Sequence, residues 1–182
     1  MSGSRIPRGT WVAGIPVLLL LLIWMGVAGA EPETLMGRVL WVDDGDSLEV
    51  RDDWGRRFRV RLRGIDAPER AQPYSNVSRR NLSRLARGRP VTVSYDGVDK
   101  YGRLLGWVYV DEGVSVNLLQ VQAGLAWHYA VPGRPWTADD DLIARTESEA
   151  RLARRGLWAR PNPLPPWQYR RQHRDEPWRA GR

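Results

Sequence analysis

Acidic side chains in two short segments are the residues of this sequence best suited to chemistry. Asp46 lies in the segment DDGDS at residues 43–47, and Asp66 and Glu69 stand three residues apart in IDAPE at residues 65–69. Asp-Gly is a strong hairpin-turn signal, but it leaves Asp46 at the start of a strand, where aspartate is disfavoured. Carboxylates that converge repel one another unless a cation joins them. An oxygen-only ligand set without His or Cys favours Ca²⁺ or Mg²⁺.

Cationic and phenolic side chains accompany these carboxylates. Arg61 lies on the polar face of the strand that leads into the second acidic segment, and Lys100, Tyr101 and Arg103 share the loop DKYGR at residues 99–103. Guanidinium, ammonium and phenol groups are donors suited to phosphate oxygens. Each segment alone is also typical of a solvated loop or a polar hairpin. The prediction of chemistry therefore depends on their combination.

Short strands must position these side chains. The strands that we predict cover residues 35–43, 47–52, 56–65, 91–95 and 104–110. In the third strand, Phe58, Val60 and Leu62 alternate with arginines, so the apolar set should face inward and the arginines outward. Five short strands within about 75 residues predict a small curled barrel.

Three helices interleave with the strands or follow them. We predict helices at residues 76–87, 116–123 and 138–155. Their expected N-caps are Asn76, Ser115 and Thr137, and Thr137 forms a capping box with Asp140. The predicted fold class is therefore α+β, mostly β, with about three helices packed on the barrel.

Residues 1–30 have the pattern of a secretory leader. Two arginines precede the apolar residues 11–27, and the sequence Ala-Gly-Ala at 28–30 is typical of a cleavage site. We therefore expect a signal peptide that is cleaved after Ala30. The alternative is an uncleaved membrane anchor through residues 11–27, a length at the short limit of a membrane-spanning helix. In both cases the rest of the chain is exported, to the medium, the periplasm or the cell envelope, and export favours Ca²⁺ as the cation.

Beyond the leader, the composition divides the chain at a proline-rich stretch. We interpret residues 31–160 as one domain and residues 161–182 as a C-terminal tail rich in Pro, Arg and Trp. The tail is predicted to be mobile and partly packed through Trp167. The alternative is that its arginines and aromatic rings add contacts to phosphates and bases.

The overall composition favours a polyanionic partner. The 182 residues carry a formal net charge of +7, and the sequence pI is near 10.5. The absence of Cys excludes disulfides, thiolate metal sites and a Cys nucleophile. With only His128 and His173, the chain is poorly suited to a His-rich zinc or iron site.

The chemical segments, taken in order, resemble the thermonuclease family, the staphylococcal-nuclease-like hydrolases. The resemblance runs along residues 37–161 and includes VDDGDS at 42–47, VRLRGIDAPE at 60–69, DKYGR at 99–103 and GLAW at 124–127. It implies an OB-fold barrel of five strands with packed helices. It also implies hydrolysis of phosphodiester bonds in DNA and RNA with Ca²⁺ as the cofactor.

The resemblance also implies roles for individual residues. Asp46 and Asp66 match direct metal ligands, and Ala67 matches a position that ligates through its backbone carbonyl oxygen. Glu69 matches the general base that activates the attacking water. The segment at residues 71–76 is shorter than in the best-known member of the family, which bears on substrate preference.

Further positions match phosphate and base contacts of the family. Arg61 and Arg103 match the pair that stabilises the transition-state phosphoryl group. Lys100 and Tyr101 match contacts to a terminal phosphate, and Tyr129 falls near the aromatic residues that receive a base.

Three functions are compatible with these residues. The leading hypothesis is an exported, Ca²⁺-dependent nuclease acting on DNA, RNA or both, monomeric and without a protein partner. The second is a non-catalytic OB-fold module that binds nucleic acid, and the third is a membrane-tethered envelope protein with an unrelated role. A binding module has no use for Asp46, Asp66 and Glu69, since carboxylates repel a polyanion. That feature favours the enzyme.

Overall fold

Five strands close into a barrel in the computed structural model, which describes residues 31–111 and 113–174. In chain order, the five barrel strands and three two-residue strands outside the barrel are β1 (Glu33–Val42), β2 (Ser47–Arg51), β3 (Arg57–Leu62), β4 (Ile65–Asp66), β5 (Pro90–Val98), β6 (Leu104–Val110), β7 (Val114–Ser115) and β8 (Trp127–His128). The barrel order is β1-β2-β3-β6-β5, and β5 returns to β1. Only the β3–β6 pairing that closes the barrel is parallel. The predicted OB-fold barrel of α+β class is confirmed.

Four helices accompany the barrel in the described part of the chain. They are α1 (Ser75–Ala86), α2 (Val116–Gln122), α3 (Ala138–Leu152) and α4 (Pro166–Gln172), with a 3-10 turn at Gly156–Ala159. The sequence predicted the first three but not α4, because a proline-rich stretch is typical of a break in a helix. Proline is tolerated in the first turn of a helix, and Pro166 occupies that place here.

Local capping signals were right at two helices and wrong at one. The Ser115 hydroxyl oxygen accepts a hydrogen bond from the Leu118 amide at the start of α2. The expected cap Asn76 lies instead inside the first turn of α1, which follows Tyr74 in a left-handed conformation with φ of 71°. The chain enters α1 through that tight turn, so no side chain caps it.

The core fills the barrel with the alternating apolar set that the sequence predicted. In β3, Val60 and Leu62 are buried, whereas Arg57 and Arg59 are exposed. Period-two alternation therefore leaves an arginine face on the outside of the barrel.

A buried amide fastens α2 to the barrel. The Asn117 side-chain oxygen accepts a hydrogen bond from the Val108 amide of β6 at 3.0 Å, and its Nδ2 donates to the Arg63 carbonyl oxygen at 3.0 Å. A buried amide that is satisfied in this way fixes orientation, because breaking one bond leaves an unpaired polar group. Asn117 thereby holds the turn that follows β3.

The start of α3 carries a buried carboxylate with several partners. Asp140 and Thr137 form the predicted capping box. Arg134 donates to Asp140 Oδ1 at 2.7 Å, and the Nε2 atom of His128 lies 3.2 Å from the same oxygen. Burial alone would raise the pKa of Asp140, but the hydrogen bonds from Thr137 and His128 and the charge of Arg134 lower it to about 2.

The predictions for the two ends of the chain lie partly outside the described residues. The signal peptide or anchor at residues 1–30 and the last part of the tail, residues 175–182, belong there. Within the part of the chain that the structure describes, no helix has the length and apolar character needed to cross a membrane.

Replacing Asp140 should change how the free energy of unfolding depends on pH. We expect Asp140→Asn to lower the free energy of unfolding by about 2 kcal/mol at pH 7. The difference should shrink as the pH falls from about 4 to about 2, because the parent carboxylate takes up its proton there. Denaturant unfolding at several pH values measures it.

Asp139→Asn is the matched control for this prediction, since Asp139 is exposed in the same first turn. Asp139→Asn should lower the free energy of unfolding by about 0.5 kcal/mol, which is the usual contribution of a surface charge near the start of a helix. Equal costs for the two variants would contradict the role assigned to Asp140.

Candidate active site

The tight turn between β1 and β2 holds Asp46 in a buried position. A Cβ atom on Gly45 would overlap the Ser78 hydroxyl and come within 2.6 Å of the Ala67 Cβ. The Gln120 amide nitrogen donates to the Gly45 carbonyl oxygen at 2.6 Å. The turn is therefore packed against α1 and α2, and only glycine leaves room for it.

The Asp46 carboxylate is buried and held on both oxygens. Its Oδ2 accepts from the Ala67 amide at 2.6 Å and lies 2.9 Å from Arg61 Nη1. Its Oδ1 accepts from the Ser47 hydroxyl at 3.2 Å. Burial raises the pKa of Asp46, Arg61 opposes that rise, and the neighbouring carboxylates of Asp44 and Asp66 add to it. A further cation at this carboxylate would relieve the repulsion.

Arg61 joins Asp46 to the second acidic segment. Its Nη2 donates to Asp66 Oδ1 at 2.9 Å, and its Nη1 donates to the Ile65 carbonyl oxygen at 3.0 Å. The chain turns back between these residues at Gly64, whose φ is +75°. Burial lowers the pKa of Arg61, but Asp46 and Asp66 raise it by more, so the guanidinium stays charged.

Glu69 lies at the rim of the site. Its amide donates to the Gln72 side-chain oxygen at 2.8 Å, and the Gln72 amide donates back to the Glu69 carbonyl oxygen at 2.8 Å. This short turn after Pro68 fixes the backbone. The carboxylate itself is half-buried and open to solvent on one side.

The loop before β6 places Arg103 next to the same turn. Asp99 accepts from Arg103 Nε at 2.8 Å, and Arg103 Nη1 donates to the Ser47 hydroxyl at 3.2 Å. Ser47 thus contacts both Arg103 and the Asp46 carboxylate. Lys100 and Tyr101 are exposed at the loop tip, where the Lys100 Nζ atom lies 5.1 Å from the Tyr101 ring centroid.

Tyr129 lies on the other side of the site, toward the C-terminal helix. Its amide donates to the Gly64 carbonyl oxygen at 2.8 Å. Its ring is half-buried and packs against Trp167 of α4 with centroids 5.5 Å apart.

Arg170 of α4 is the site residue that the sequence did not identify. Its Nη2 lies 2.8 Å from Asp66 Oδ2, and its Nη1 lies 2.6 Å from Glu69 Oε1 and 3.2 Å from Asp66 Oδ1. Burial lowers the pKa of Arg170, but Asp66 and Glu69 raise it by more. The only signal was the cluster of Arg and aromatic residues in the tail, which does not single out one arginine.

Comparison with known proteins identifies the family. The family model described as staphylococcal nuclease homologue matches residues 59–160, more than half of the chain. The chain belongs to the staphylococcal-nuclease-like family. The matched residues include Arg61, Asp66, Glu69 and Arg103.

Several relatives resemble this family member over most of its length. A protein from Escherichia coli O157:H7 described as an uncharacterized endonuclease is 39% identical over 156 residues, covering 86% of this chain and 95% of the relative. A micrococcal nuclease from Shigella flexneri is 38% identical over 143 residues, covering 74% of this chain and 80% of the relative. An uncharacterized endonuclease from Haemophilus influenzae is 34% identical over 155 residues, covering 85% and 84%.

The donor chemistry of the site fits a hard cation such as Ca²⁺. Asp46 and Asp66 supply carboxylate oxygens that are buried and that Arg61 brings together. Ca²⁺ takes roughly six to eight oxygen ligands, several of them commonly water. Among residues 31–111 and 113–174, however, no three acidic, His or Cys side chains already form a metal-holding group. The side chains that this family member offers to such an ion are two carboxylates, with water and backbone oxygens left to complete the shell.

Adding a methyl group to the first turn should disturb the site through packing alone. We expect Gly45→Ala to lower the free energy of unfolding by about 1–3 kcal/mol, the cost of overpacking, because its Cβ would collide with Ser78 and Ala67. Gly97→Ala is the control, since a Cβ there meets nothing within 4 Å. Denaturant unfolding measures the free energy of unfolding of both variants. A cost for Gly45→Ala no larger than that for Gly97→Ala would show that the turn tolerates a side chain.

Proposed function

We propose that the protein is an exported, Ca²⁺-dependent nuclease that hydrolyses phosphodiester bonds of DNA, RNA or both. The observation that carries the proposal is the bridge in which Arg61 joins the buried carboxylates of Asp46 and Asp66, with Glu69 and Arg103 beside it. Membership of the staphylococcal-nuclease-like family and relatives named as endonucleases and a micrococcal nuclease support a hydrolase that acts on nucleic acid.

In this proposal, Asp46, Asp66 and the Ala67 carbonyl oxygen would hold Ca²⁺. The ion would supply Lewis-acid polarisation of the phosphate. The carboxylates fit that role because they are buried and Arg61 brings them close together.

Glu69 is proposed as the general base. A water oxygen attacks phosphorus, and its proton passes to the Glu69 carboxylate. The bond from phosphorus to the leaving oxygen breaks, and that oxygen takes up a proton and leaves as an alcohol. The half-buried position of the carboxylate at the rim, open to solvent, supports this role. Its backbone is fixed by Gln72, so the carboxylate needs little reorganisation.

Arg61 and Arg103 are proposed to stabilise the transition state. Negative charge accumulates on the equatorial phosphoryl oxygens, and fixed guanidiniums stabilise it without reorganising. Both are held in place, Arg61 by two carbonyl oxygens and Arg103 by Asp99. Lys100 and Tyr101 at the exposed loop tip are proposed to bind a terminal phosphate, and Tyr129 to contact a base.

The outer face of β3 supports a polyanionic substrate. Arg57 and Arg59 are exposed on the same face as Arg61, at the two-residue period of about 7 Å along a strand. The Arg59 Nη2 donates to the Tyr101 carbonyl oxygen at 2.5 Å, so this row of charge leads into the phosphate loop. Such a row attracts a nucleic acid backbone without reading its sequence.

Replacing the proposed base tests the mechanism. We expect Glu69→Gln to lower turnover by about 10²–10⁴, because the amide cannot take the proton from water. The measurement is cleavage of single-stranded DNA, duplex DNA and RNA by the purified protein, in Ca²⁺ and in chelator. The parent should cleave only with Ca²⁺.

Glu149→Gln is the matched control, because Glu149 is an exposed glutamate on α3 and has no proposed part in the site. It should cleave at the parent rate. Full activity in Glu69→Gln would remove Glu69 from the mechanism. Binding by the parent without cleavage would instead support the alternative, a non-catalytic OB-fold module.

Export is proposed from residues 1–30 and is tested separately. The N-terminal residue of the protein recovered from its host should be Glu31, because cleavage follows the Ala-Gly-Ala sequence. Recovery of the full chain from the membrane fraction would favour the anchor through residues 11–27.

A further inference from the structure

We propose that Arg170 is an internal counter-cation of the active site, which holds Asp66 and Glu69 until a divalent cation replaces it and which thereby sets the affinity for that cation. The inference deepens the proposed function and rests on its assignment of a Ca²⁺ site. It gives the C-terminal helix α4 a part in the site.

The Arg170 guanidinium occupies the oxygens that a metal ion would need. It contacts both oxygens of Asp66 and one oxygen of Glu69, at 2.6–3.2 Å. Arg61 donates a third N–H group to Asp66. An ionised carboxylate offers about four lone-pair positions, so little of Asp66 is left for a cation while Arg170 stays bound.

The charge balance of the site points the same way. Arg170 places one positive charge directly against Asp66 and Glu69. Without it, the carboxylates around Arg61 present one more net negative charge to a cation. Because attraction grows with the opposing charge, Arg170 must weaken the binding of any cation at Asp66.

Of the two arginines, Arg170 is the one that is free to leave. The Arg61 side chain is only 16% exposed and also donates to the Leu62 and Ile65 carbonyl oxygens. The Arg170 side chain is 45% exposed, and its hydrogen bonds in the structure are to Asp66 and Glu69. The two guanidiniums also repel one another across Asp66.

The helix that carries Arg170 is attached independently of that side chain. Trp167 packs against Tyr129, and the Gln72 side chain donates to the Leu164 carbonyl oxygen at 3.0 Å. Pro166 is buried. The guanidinium can therefore turn to solvent while α4 stays in place.

Calorimetric titration of the full chain with CaCl₂, without nucleic acid, tests the proposal. We expect Arg170→Gln to bind Ca²⁺ about tenfold more tightly than the parent, or tighter still, because a competing charge is gone. Arg170→Lys keeps the charge and loses the forked contact, so its affinity should fall between the two. Arg171→Gln is the matched control, an exposed arginine on the same helix, and should bind as the parent does.

Thermal unfolding in chelator gives a second readout. Arg170→Gln should melt below the parent and below Arg171→Gln, because the buried Asp66 has lost one of its two cations. Saturating Ca²⁺ should remove that difference. Circular dichroism checks that α4 is retained, and Arg170→Lys carries the titration if Arg170→Gln fails to fold.

The outcomes separate this inference from the proposed function. Equal or weaker Ca²⁺ binding by Arg170→Gln, or no binding by any variant, overturns the role of Arg170 whether or not the protein cleaves nucleic acid. A parent that binds Ca²⁺ without cleaving nucleic acid contradicts the nuclease and leaves this role supported, provided that Arg170→Gln binds more tightly.

Discussion

The Arg61 guanidinium is the interaction on which the site depends. It lies between Asp46 in the turn before β2 and Asp66 in β4, two buried carboxylates, and its side chain is only 16% exposed. Removing one partner of a buried ion pair typically costs about 3–5 kcal/mol, because the remaining charge is left uncompensated. The same guanidinium binds the Ile65 carbonyl oxygen. One side chain therefore sets both the electrostatics of the site and the course of the chain after β3.

The helices act as supports for the turns that carry the carboxylates. Gln120 of α2 binds the Gly45 carbonyl oxygen, and Ser78 of α1 leaves space only for a glycine there. The Asn117 side chain of α2 donates a hydrogen bond to the Arg63 carbonyl oxygen and so holds the turn after β3. Each contact restricts the backbone, either through a buried hydrogen bond or through lack of space. None of them acts directly on a reactive side chain. Such second-layer constraints hold a site to within fractions of an ångström, which charge attraction alone does not do.

What the sequence predicted well was local. Strand alternation in β3 and the caps Ser115 and Thr137 follow from residues within a few positions of one another, and the structure agrees with them. The Asn76 cap was wrong because a left-handed turn before α1 moved the helix start. The contact from Arg170 to Asp66 joins residues 104 positions apart. No local pattern encodes such a pairing, although the sequence had placed arginines and aromatic rings in that segment.

Two arginines from different parts of the chain have different roles in one site. Arg61, Asp66 and Glu69 belong to the part of the chain between the start of β3 and the start of α1, whereas Arg170 belongs to the C-terminal helix α4. Asp66 faces one guanidinium from each part, and these two repel one another. Arg61 is buried and bonded to backbone carbonyl oxygens, whereas Arg170 is half-exposed. The Arg61 bridge thus brings Asp46 and Asp66 together, and in the role proposed for Arg170 the C-terminal helix determines how strongly they attract a further cation.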